Sequence, residues 1–186
     1  LRLFAPVLPG SRNCGLAALM SAGEYDILIP GDMPAAAERV LADTHSLPQV
    51  EVLVVGHHGA AGSTAPELLQ AVSPEIAVIS VGADNSYGHP TEAALSRLRD
   101  ADAQVFRTDL QGVIHAVSDG RSVTFETERS ATEAQLNPTI HDAAETYIGN
   151  VNSQIFHVST CHSCPSEKNA VHFASVWDAM AQGYRA

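Results

Sequence analysis

Carboxylate and imidazole side chains follow two apolar segments of this chain at the point where each segment ends. Asp32 follows the apolar run 27–30, and His57 and His58 follow the run 52–55. Glycines precede Asp32 and flank the histidine pair, so a ligand can approach the backbone closely. Imidazole nitrogen suits Zn and similar ions, and a bridging carboxylate suits a pair of ions. The pattern predicts that Asp32, His57 and His58 bind metal and activate water for hydrolysis.

A third polar cluster, with Asn85 and His89, lies between the apolar run 76–81 and a predicted helix. We expect His89 to contact a phosphoryl oxygen or to transfer a proton, and Asn85 to donate a hydrogen bond to the same oxyanion. On an extended backbone, His57 and His58 would point in opposite directions. One of them would then bind metal and the other would contact substrate, so the predicted catalytic residues are His58, His89 and Asn85.

Each of these residues also has an ordinary structural interpretation. Asp32 can be a turn former, the histidine pair can cap a helix or lie in the core, and His89 can belong to a local turn. Residues 107–109 close the next strand, and we expect an ordinary surface turn there. Four further histidines are interpreted as structural: His45, His115, His141 and His172.

The hydrophobic periodicity predicts elements that place these residues at strand ends. A hairpin over 15–30 precedes three helices, over 34–42, 64–72 and 90–101, with Thr64 as the cap of the second and Arg97 on the outer face of the third. Strands are predicted over 50–55, 76–81, 104–108, 112–117 and 122–127, the last two joined by a turn at Asp119-Gly120. This order indicates a mixed α/β layered fold.

Composition narrows the function classes. The chain has 186 residues and a net charge of −11, which fits one domain with a small appendage and argues against broad nonspecific binding to a polyanion. A bound metal ion can still bring positive charge to one phosphate. No apolar run approaches the ~20 residues that span a bilayer. Three cysteines are an odd number and do not suggest a disulfide framework.

The chain is predicted to divide into a domain over 1–128, a linker over 129–138 and a small unit over 139–186. In the small unit we expect strands near 155–156 and 171–173 and a helix over 175–181. Its core would be thin, so it needs a metal, a disulfide or docking for stability. Soft ligands at Cys161, His162 and Cys164 raise the alternative of a zinc clip.

Several short motifs occur together in a specific order. They are Asn13, Gly31-Asp32, Gly56-His57-His58-Gly59, Ser80-Val81-Gly82, Gly88-His89-Pro90, and Arg107-Thr108-Asp109 with Gly112. This order resembles the C-terminal half of a metallo-β-lactamase-fold hydrolase of the ComEC-like competence group. The resemblance implies a partial αββα sandwich, two Zn or Mn ions in the complete domain, and a phosphodiester substrate, with DNA as one candidate. It also implies an extracytoplasmic location, Asp32 bridging both ions, one histidine of the pair as a ligand, and His89 lining the pocket.

Two departures from the family pattern matter. The His-x-His-x-Asp-His motif of the N-terminal half does not occur in this sequence. We therefore expect the chain to begin within the domain and to need a longer parent protein or a partner for the complete dinuclear site. Residues 147–184 resemble a small Ada-type metal-binding module, which implies a separate Zn ion. The matching residues are Phe156-His157, Cys161, Lys168-Asn169, Phe173 and Gly183-Tyr184, whereas the usual closing cysteines do not follow.

Two functions are therefore compared. The first is a metal-dependent hydrolase, a phosphodiesterase or nuclease related to DNA-uptake competence proteins. The alternative is a non-catalytic module that binds nucleic acid or protein. Metal that is lost on mutating both His57 and His58 would favour the enzyme, and metal lost only on changing Cys161 would favour the module. The sequence leaves the substrate, the metal and the oligomeric state open.

Overall fold

The computed structural model describes residues 1–7, 15–138, 147–158, 165, 167–173, 179 and 182–185. The chain forms two compact units, Leu1–Pro138 and Thr139–Ala186. Across the described ranges, no helix combines the length and the hydropathy that crossing a bilayer requires.

The first unit contains a six-stranded sheet whose strands lie side by side in chain order. They are β1 (Arg2–Phe4), β2 (Ala17–Ala22), β3 (Tyr25–Ile29), β4 (Val52–Val54), β5 (Ile76–Ile79) and β6 (Gln104–Arg107). The pairs β1–β2 and β2–β3 are antiparallel, and β3 to β6 are parallel. The predicted mixed α/β class is confirmed. The strand β1 is not predicted, because only its pairing with β2 makes so short a segment a strand.

Three helices connect the parallel strands: α1 (Ala35–Thr44), α2 (Pro66–Val72) and α3 (Glu92–Asp100). Parallel neighbours that follow chain order, joined by right-handed crossovers, place all three helices on one face of the sheet. Their apolar sides pack with that face in one core. Its fully buried members include Leu28, Leu53, Ile79 and Val105 from the strands and Leu41, Leu68 and Leu98 from the helices.

The other face of the sheet is also apolar, but it is only partly covered. Its side chains alternate with those of the core face, and they include Ile27, Val54, Ile76, Val78 and Phe106, each of intermediate exposure. Towards the β1 edge, Leu3 is 58% exposed and Met20 is 48% exposed. Strands that are apolar at both alternating positions are typical of sheets buried on both faces.

The rest of the first unit contains a hairpin and two short helices. The hairpin joins β7 (Ile114–Ser118) to β8 (Val123–Thr127), and the two helices are α4 (Thr108–Gln111) and α5 (Glu133–Leu136). The predicted hairpin is confirmed, and Asp119 Oδ1 accepts the Arg121 and Ser122 N–H groups in its turn. The segment interpreted as a linker contains α5, and its Leu136 side chain is buried.

The second unit contains a three-stranded antiparallel sheet in the order β10-β9-β11. The strands are β9 (Tyr147–Asn150), β10 (Ile155–Val158) and β11 (Ala170–Phe173), and a 3₁₀ turn covers Glu167–Asn169. The strands predicted near 155–156 and 171–173 are confirmed, and β9 is an addition. Phe156 and Phe173 are buried in its small core. Outside the described residues lie Asn13, Cys14, His141, Cys161, His162, Cys164 and, apart from Ala179, the helix predicted over 175–181.

Candidate functional site

The candidate site lies where the parallel strands of the first unit end. Asp32 follows β3, the 3₁₀ turn Gly56–Gly59 follows β4, and the loop with His89 follows β5. Parallel strands present their carboxyl ends at the same edge of a sheet, and ligands of α/β proteins bind at that edge. A backbone hydrogen bond from His57 N–H to the Gly31 carbonyl, 3.0 Å long, joins the first two of these segments.

His58 is held in one orientation and one tautomer. Its Nδ1 lies 2.7 Å from the Ser80 carbonyl oxygen. A carbonyl oxygen can only accept, so Nδ1 carries the proton and the lone pair of the neutral ring is on Nε2. That Nε2 lies 3.7 Å from Asp32 Oδ1. Metal-binding histidines commonly bond a backbone carbonyl through one ring nitrogen and bind the ion through the other.

The two adjacent histidines adopt left-handed backbone conformations, with φ of 49° at His57 and 56° at His58. The expectation of an extended backbone with oppositely directed side chains is therefore wrong. Ring centroids of His57 and His58 are 6.3 Å apart, and those of His57 and His89 are 5.9 Å apart. The structure thus brings three imidazoles into one cluster. Left-handed non-glycine residues cost free energy and are concentrated at functional sites.

Two glycines allow this tight turn to fit between its neighbours. A Cβ on Gly56 would lie 2.6 Å from Glu38 Oε1, and one on Gly59 would lie 2.7 Å from the Cβ of Pro90. Gly59 also has a φ of +81°. Its carbonyl accepts the N–H and the hydroxyl of Thr91, at 2.9 and 3.0 Å. The histidine turn is therefore attached to the start of α3.

Buried charged side chains fix the segment that follows the turn. The Glu38 carboxylate is fully buried and accepts the Ala65 N–H at 2.6 Å. Arg97 is 5% exposed and donates to three carbonyls, those of Ala61 at 3.1 Å, Ser63 at 2.7 Å and Thr64 at 2.9 Å. Burial raises the pKa of Glu38, and burial lowers the pKa of Arg97 to about 10. The guanidinium therefore remains charged at neutral pH.

This buried pair corrects two predictions. Thr64 is not the cap of α2, because its φ is 56° and Ala65 occupies the cap position. Arg97 is not on the outer face of α3, because its guanidinium bonds the buried loop carbonyls. The burial of Glu38 could have been predicted from the helical spacing, because Glu38 shares the buried face of α1 with Ala37 and Leu41.

Asn85 closes the loop that carries His89. Its Nδ2 donates to the Gly82 carbonyl at 2.9 Å and to the His89 carbonyl at 2.7 Å. Its Oδ1 accepts the His89 N–H at 3.0 Å. Because both amide protons are engaged, Asn85 positions His89 in this structure. The predicted oxyanion contact of Asn85 stays a prediction.

A cavity of about 310 Å³ opens beside the imidazole cluster. It is lined by His58, Ser80, Val81, Gly82, Asn85, Tyr87, His89 and Thr108. Burial lowers the pKa of His89, and the neighbouring His57 and His58 lower it further, so this ring is neutral at neutral pH. Tyr87 and Thr108 were not anticipated as site residues, and a loop tyrosine or strand-end threonine has no distinctive sequence pattern.

Residues 107–109 are not the expected surface turn. Arg107 Nη2 lies 2.6 Å from Asp109 Oδ2, with only 12% and 9% of the two side chains exposed. The intervening Thr108 hydroxyl accepts the Val81 N–H and donates to the Val81 carbonyl, each at 2.8 Å. The end of β6 therefore supports the cavity wall.

The described residues fit part of a metal site. Among them, no group of three or more His, Cys, Asp or Glu side chains is placed to hold an ion. Asp32 and His58 supply one oxygen and one nitrogen at 3.7 Å. Metal–ligand bonds of about 2.0–2.2 Å place two ligand atoms of a tetrahedral site roughly 3.4 Å apart. The pair can therefore reach one ion after a small shift, and further ligands must come from elsewhere.

Sequence comparison finds several proteins that are similar to part of this chain. ComE operon protein 3 of Bacillus subtilis is 34% identical over 121 residues, which cover 65% of this chain and 16% of that protein. Competence protein ComA of Neisseria gonorrhoeae is 42% identical over 104 residues, covering 55% of this chain and 15% of that protein. The chain is related to competence proteins of the ComEC group. Recombination protein 2 of Haemophilus influenzae is 35% identical over 104 residues, covering 56% of the chain and 13% of that protein.

The extent of these matches is limited. The chain spans only 13% to 16% of the length of these curated relatives. No protein-family model matches the chain, and no solved structure matches it.

Proposed function

We propose that the first unit is part of a metal-dependent hydrolase that cleaves phosphodiesters, with DNA as the substrate during competence. The observation that carries this proposal is the orientation of His58. The Ser80 carbonyl fixes its Nδ1 proton, and its Nε2 faces the Asp32 carboxylate at 3.7 Å. The names of the related competence proteins support the choice of substrate.

Each residue of the cluster has a distinct proposed role. Asp32 and His58 would hold a Zn or Mn ion, and the Asp32 carboxylate would also serve a second ion. When bound, such ions supply Lewis acidity and lower the pKa of a water molecule for attack on phosphorus. His89 lines the cavity, the His57 ring lies 5.9 Å from it, and both would donate hydrogen bonds to the phosphoryl oxygens. Gly56 and Gly59 allow the backbone turn that brings these rings together.

The proposed fold of the complete domain is an αββα sandwich of the metallo-β-lactamase type. Helices cover one face of the sheet, and the second face is apolar and partly exposed. We propose that a second sheet packs on that second face, near Leu3, Met20, Ile27 and Val54. The same half of the domain would supply the metal ligands that the described residues do not provide.

The test uses the longer parent protein, purified with Mn or Zn and assayed for cleavage of a phosphodiester. Asp32→Ala and His58→Ala should each reduce cleavage by at least about 100-fold, because changing even the supporting residues of a metal site costs 10–100-fold. His115→Ala is the matched control, since His115 is an exposed histidine on β7 in the same unit. Unchanged cleavage in both site variants would reject the proposed roles.

A further inference from the structure

One aromatic ring stands exposed at the cavity. Tyr87 is 80% exposed, and its ring stacks on the His89 ring, with centroids 5.9 Å apart and planes 25° apart. A tyrosine that buries so little of its ring contributes little to the core of the unit. Its one described ring contact is with a member of the imidazole cluster. The exposed ring face is thus available to a ligand of that cluster.

The loop that presents this ring is braced from two sides. Asn85 bonds both ends of the loop, at the Gly82 carbonyl and at the backbone of His89. Thr91, just beyond the loop, bonds the Gly59 carbonyl. Tyrosine has only two side-chain torsions, so fixing its ring in a contact costs little conformational entropy. Tyr87 therefore has the properties of a stacking platform with a fixed position.

The size of the cavity limits what can lie on this platform. At about 310 Å³, it is near the lower end of the roughly 300–1,000 Å³ range of small-molecule pockets. It can take one nucleotide unit, whereas the major groove alone of a B-form duplex is about 12 Å wide. Bases within a duplex also offer no free π face, but bases of a single strand do.

The charge around the cavity also favours contact with a base over contact with a phosphate backbone. None of its described lining residues is Lys or Arg, and the whole chain has a net charge of −11. A groove that follows a phosphate backbone needs basic side chains, and this cavity does not supply them. Apart from any bound metal ion, the affinity for a nucleic acid must come from contacts with the base. A planar aromatic ring provides that contact without regard to base identity.

We propose that Tyr87 stacks on one nucleobase of a single-stranded substrate, next to the phosphodiester that the imidazole cluster receives. This inference rests on the proposed hydrolase function and deepens it by naming the substrate class. The stacked base would fix the adjacent phosphate over His58 and His89. Cleavage would then favour single strands of any sequence over duplexes.

The first arm of the test measures cleavage by the longer parent protein. The substrates are a single-stranded oligothymidylate and an oligonucleotide of the same length with abasic spacers. Tyr87→Ala should raise KM for oligothymidylate by roughly 5- to 100-fold. Tyr87→Phe keeps the ring, so its KM should equal that of the wild type. Tyr87→Ala should leave KM for the abasic substrate as it is in the wild type. Val117→Ala, an exposed apolar change on β7, is the control.

The second arm measures binding of a fluorescein-labelled oligothymidylate by anisotropy, without metal. Binding that Tyr87→Ala weakens and Tyr87→Phe restores supports stacking, even if the wild-type protein cleaves nothing. In that case the hydrolase proposal fails and the stacking proposal stands. Equal affinity of the wild type and Tyr87→Ala for oligothymidylate, together with equal KM values in any cleavage, would overturn the stacking proposal.

Discussion

Ionisable side chains lie on both sides of the segment that follows β4, and the two sides differ in burial. On the core side, Glu38 and Arg97 are buried and bond the backbone of residues 61–65. On the solvent side, the side chains of Asp32 and His58 are 65% and 53% exposed. The buried charges fix the backbone, and the exposed groups keep ligand atoms available. The buried residues therefore stabilise this loop, and the exposed residues carry its proposed function.

The largest expected effect lies on the core side. Arg97→Ala leaves three loop carbonyls without their donor and leaves the buried Glu38 without a nearby positive charge. Breaking such a buried network costs about 3–5 kcal/mol of unfolding free energy. Arg39→Ala is the control, because its exposed ion pair with Glu67 is worth about 0–1 kcal/mol. Urea denaturation measures both, and equal losses would contradict the assignment of Arg97 to the core.

The next effect concerns the turn itself. Gly59→Ala places a Cβ 2.7 Å from Pro90 at a φ of +81°. We expect a loss of about 1–3 kcal/mol in unfolding free energy from the strained backbone. Gly62→Ala, in the same loop, meets nothing within 4 Å and serves as the matched control. If the two variants unfold at the same urea concentration, the turn is not constrained as described.

A smaller effect should appear as a pH dependence. Burial raises the pKa of Glu38 above its ordinary 4.5, although the Ala65 and Thr64 N–H groups, Arg97 and Arg39 oppose this. The folded state then keeps this proton to a higher pH than the unfolded chain. The stability from Glu38 is complete below the unfolded pKa and is lost as pH rises through the folded pKa. As pH rises above about 4.5, the wild type should lose stability relative to Glu38→Gln, which does not ionise. A constant difference in urea denaturation would exclude a raised pKa.

The smallest effect on stability belongs to the solvent side. Asp32→Asn and His58→Ala change exposed side chains, so each should change the unfolding free energy by no more than about 0.5 kcal/mol. Thermal and urea unfolding of the 186-residue chain can measure this. A loss of 2 kcal/mol or more would show that these residues hold the fold together, and the contrast between the two sides would disappear.

Local patterns are sufficient to predict that Asp32 and the histidine pair follow strands. Apolar runs ending in Asp32 and in the histidine pair predict strand ends, and parallel strands bring such ends to one edge. Periodicity also predicts the order of β2 to β8 with α1 to α3, whereas β1, α4 and α5 are not predicted. The strand ends and the order of the elements depend on residues close together in the chain, so the sequence alone is enough to predict them.

The arrangement within the site depends on distant residues and could not be predicted in the same way. The turn that holds the left-handed His57 and His58 fits closely against Glu38 at Gly56 and against Pro90 at Gly59, and both neighbours are distant in the sequence. The tautomer of His58 depends on the Ser80 carbonyl. Asn85 bonds the backbone of its own loop, a role that its residue type does not reveal. Such tertiary contacts override local preference, and periodicity does not report them.

The proposed metal site depends most on the ring of His58, so imidazole ¹⁵N NMR of the labelled chain at pH 8 is its most direct test. We predict that His58 is the tautomer with a protonated Nδ1, because the Ser80 carbonyl accepts that proton. We also predict that added Mn²⁺ broadens the signals of His58 and its neighbours His57 and His89 before those of His115. A His58 ring protonated at Nε2, or Mn²⁺ broadening that is equal for all four histidines, would contradict a metal-binding role for this residue.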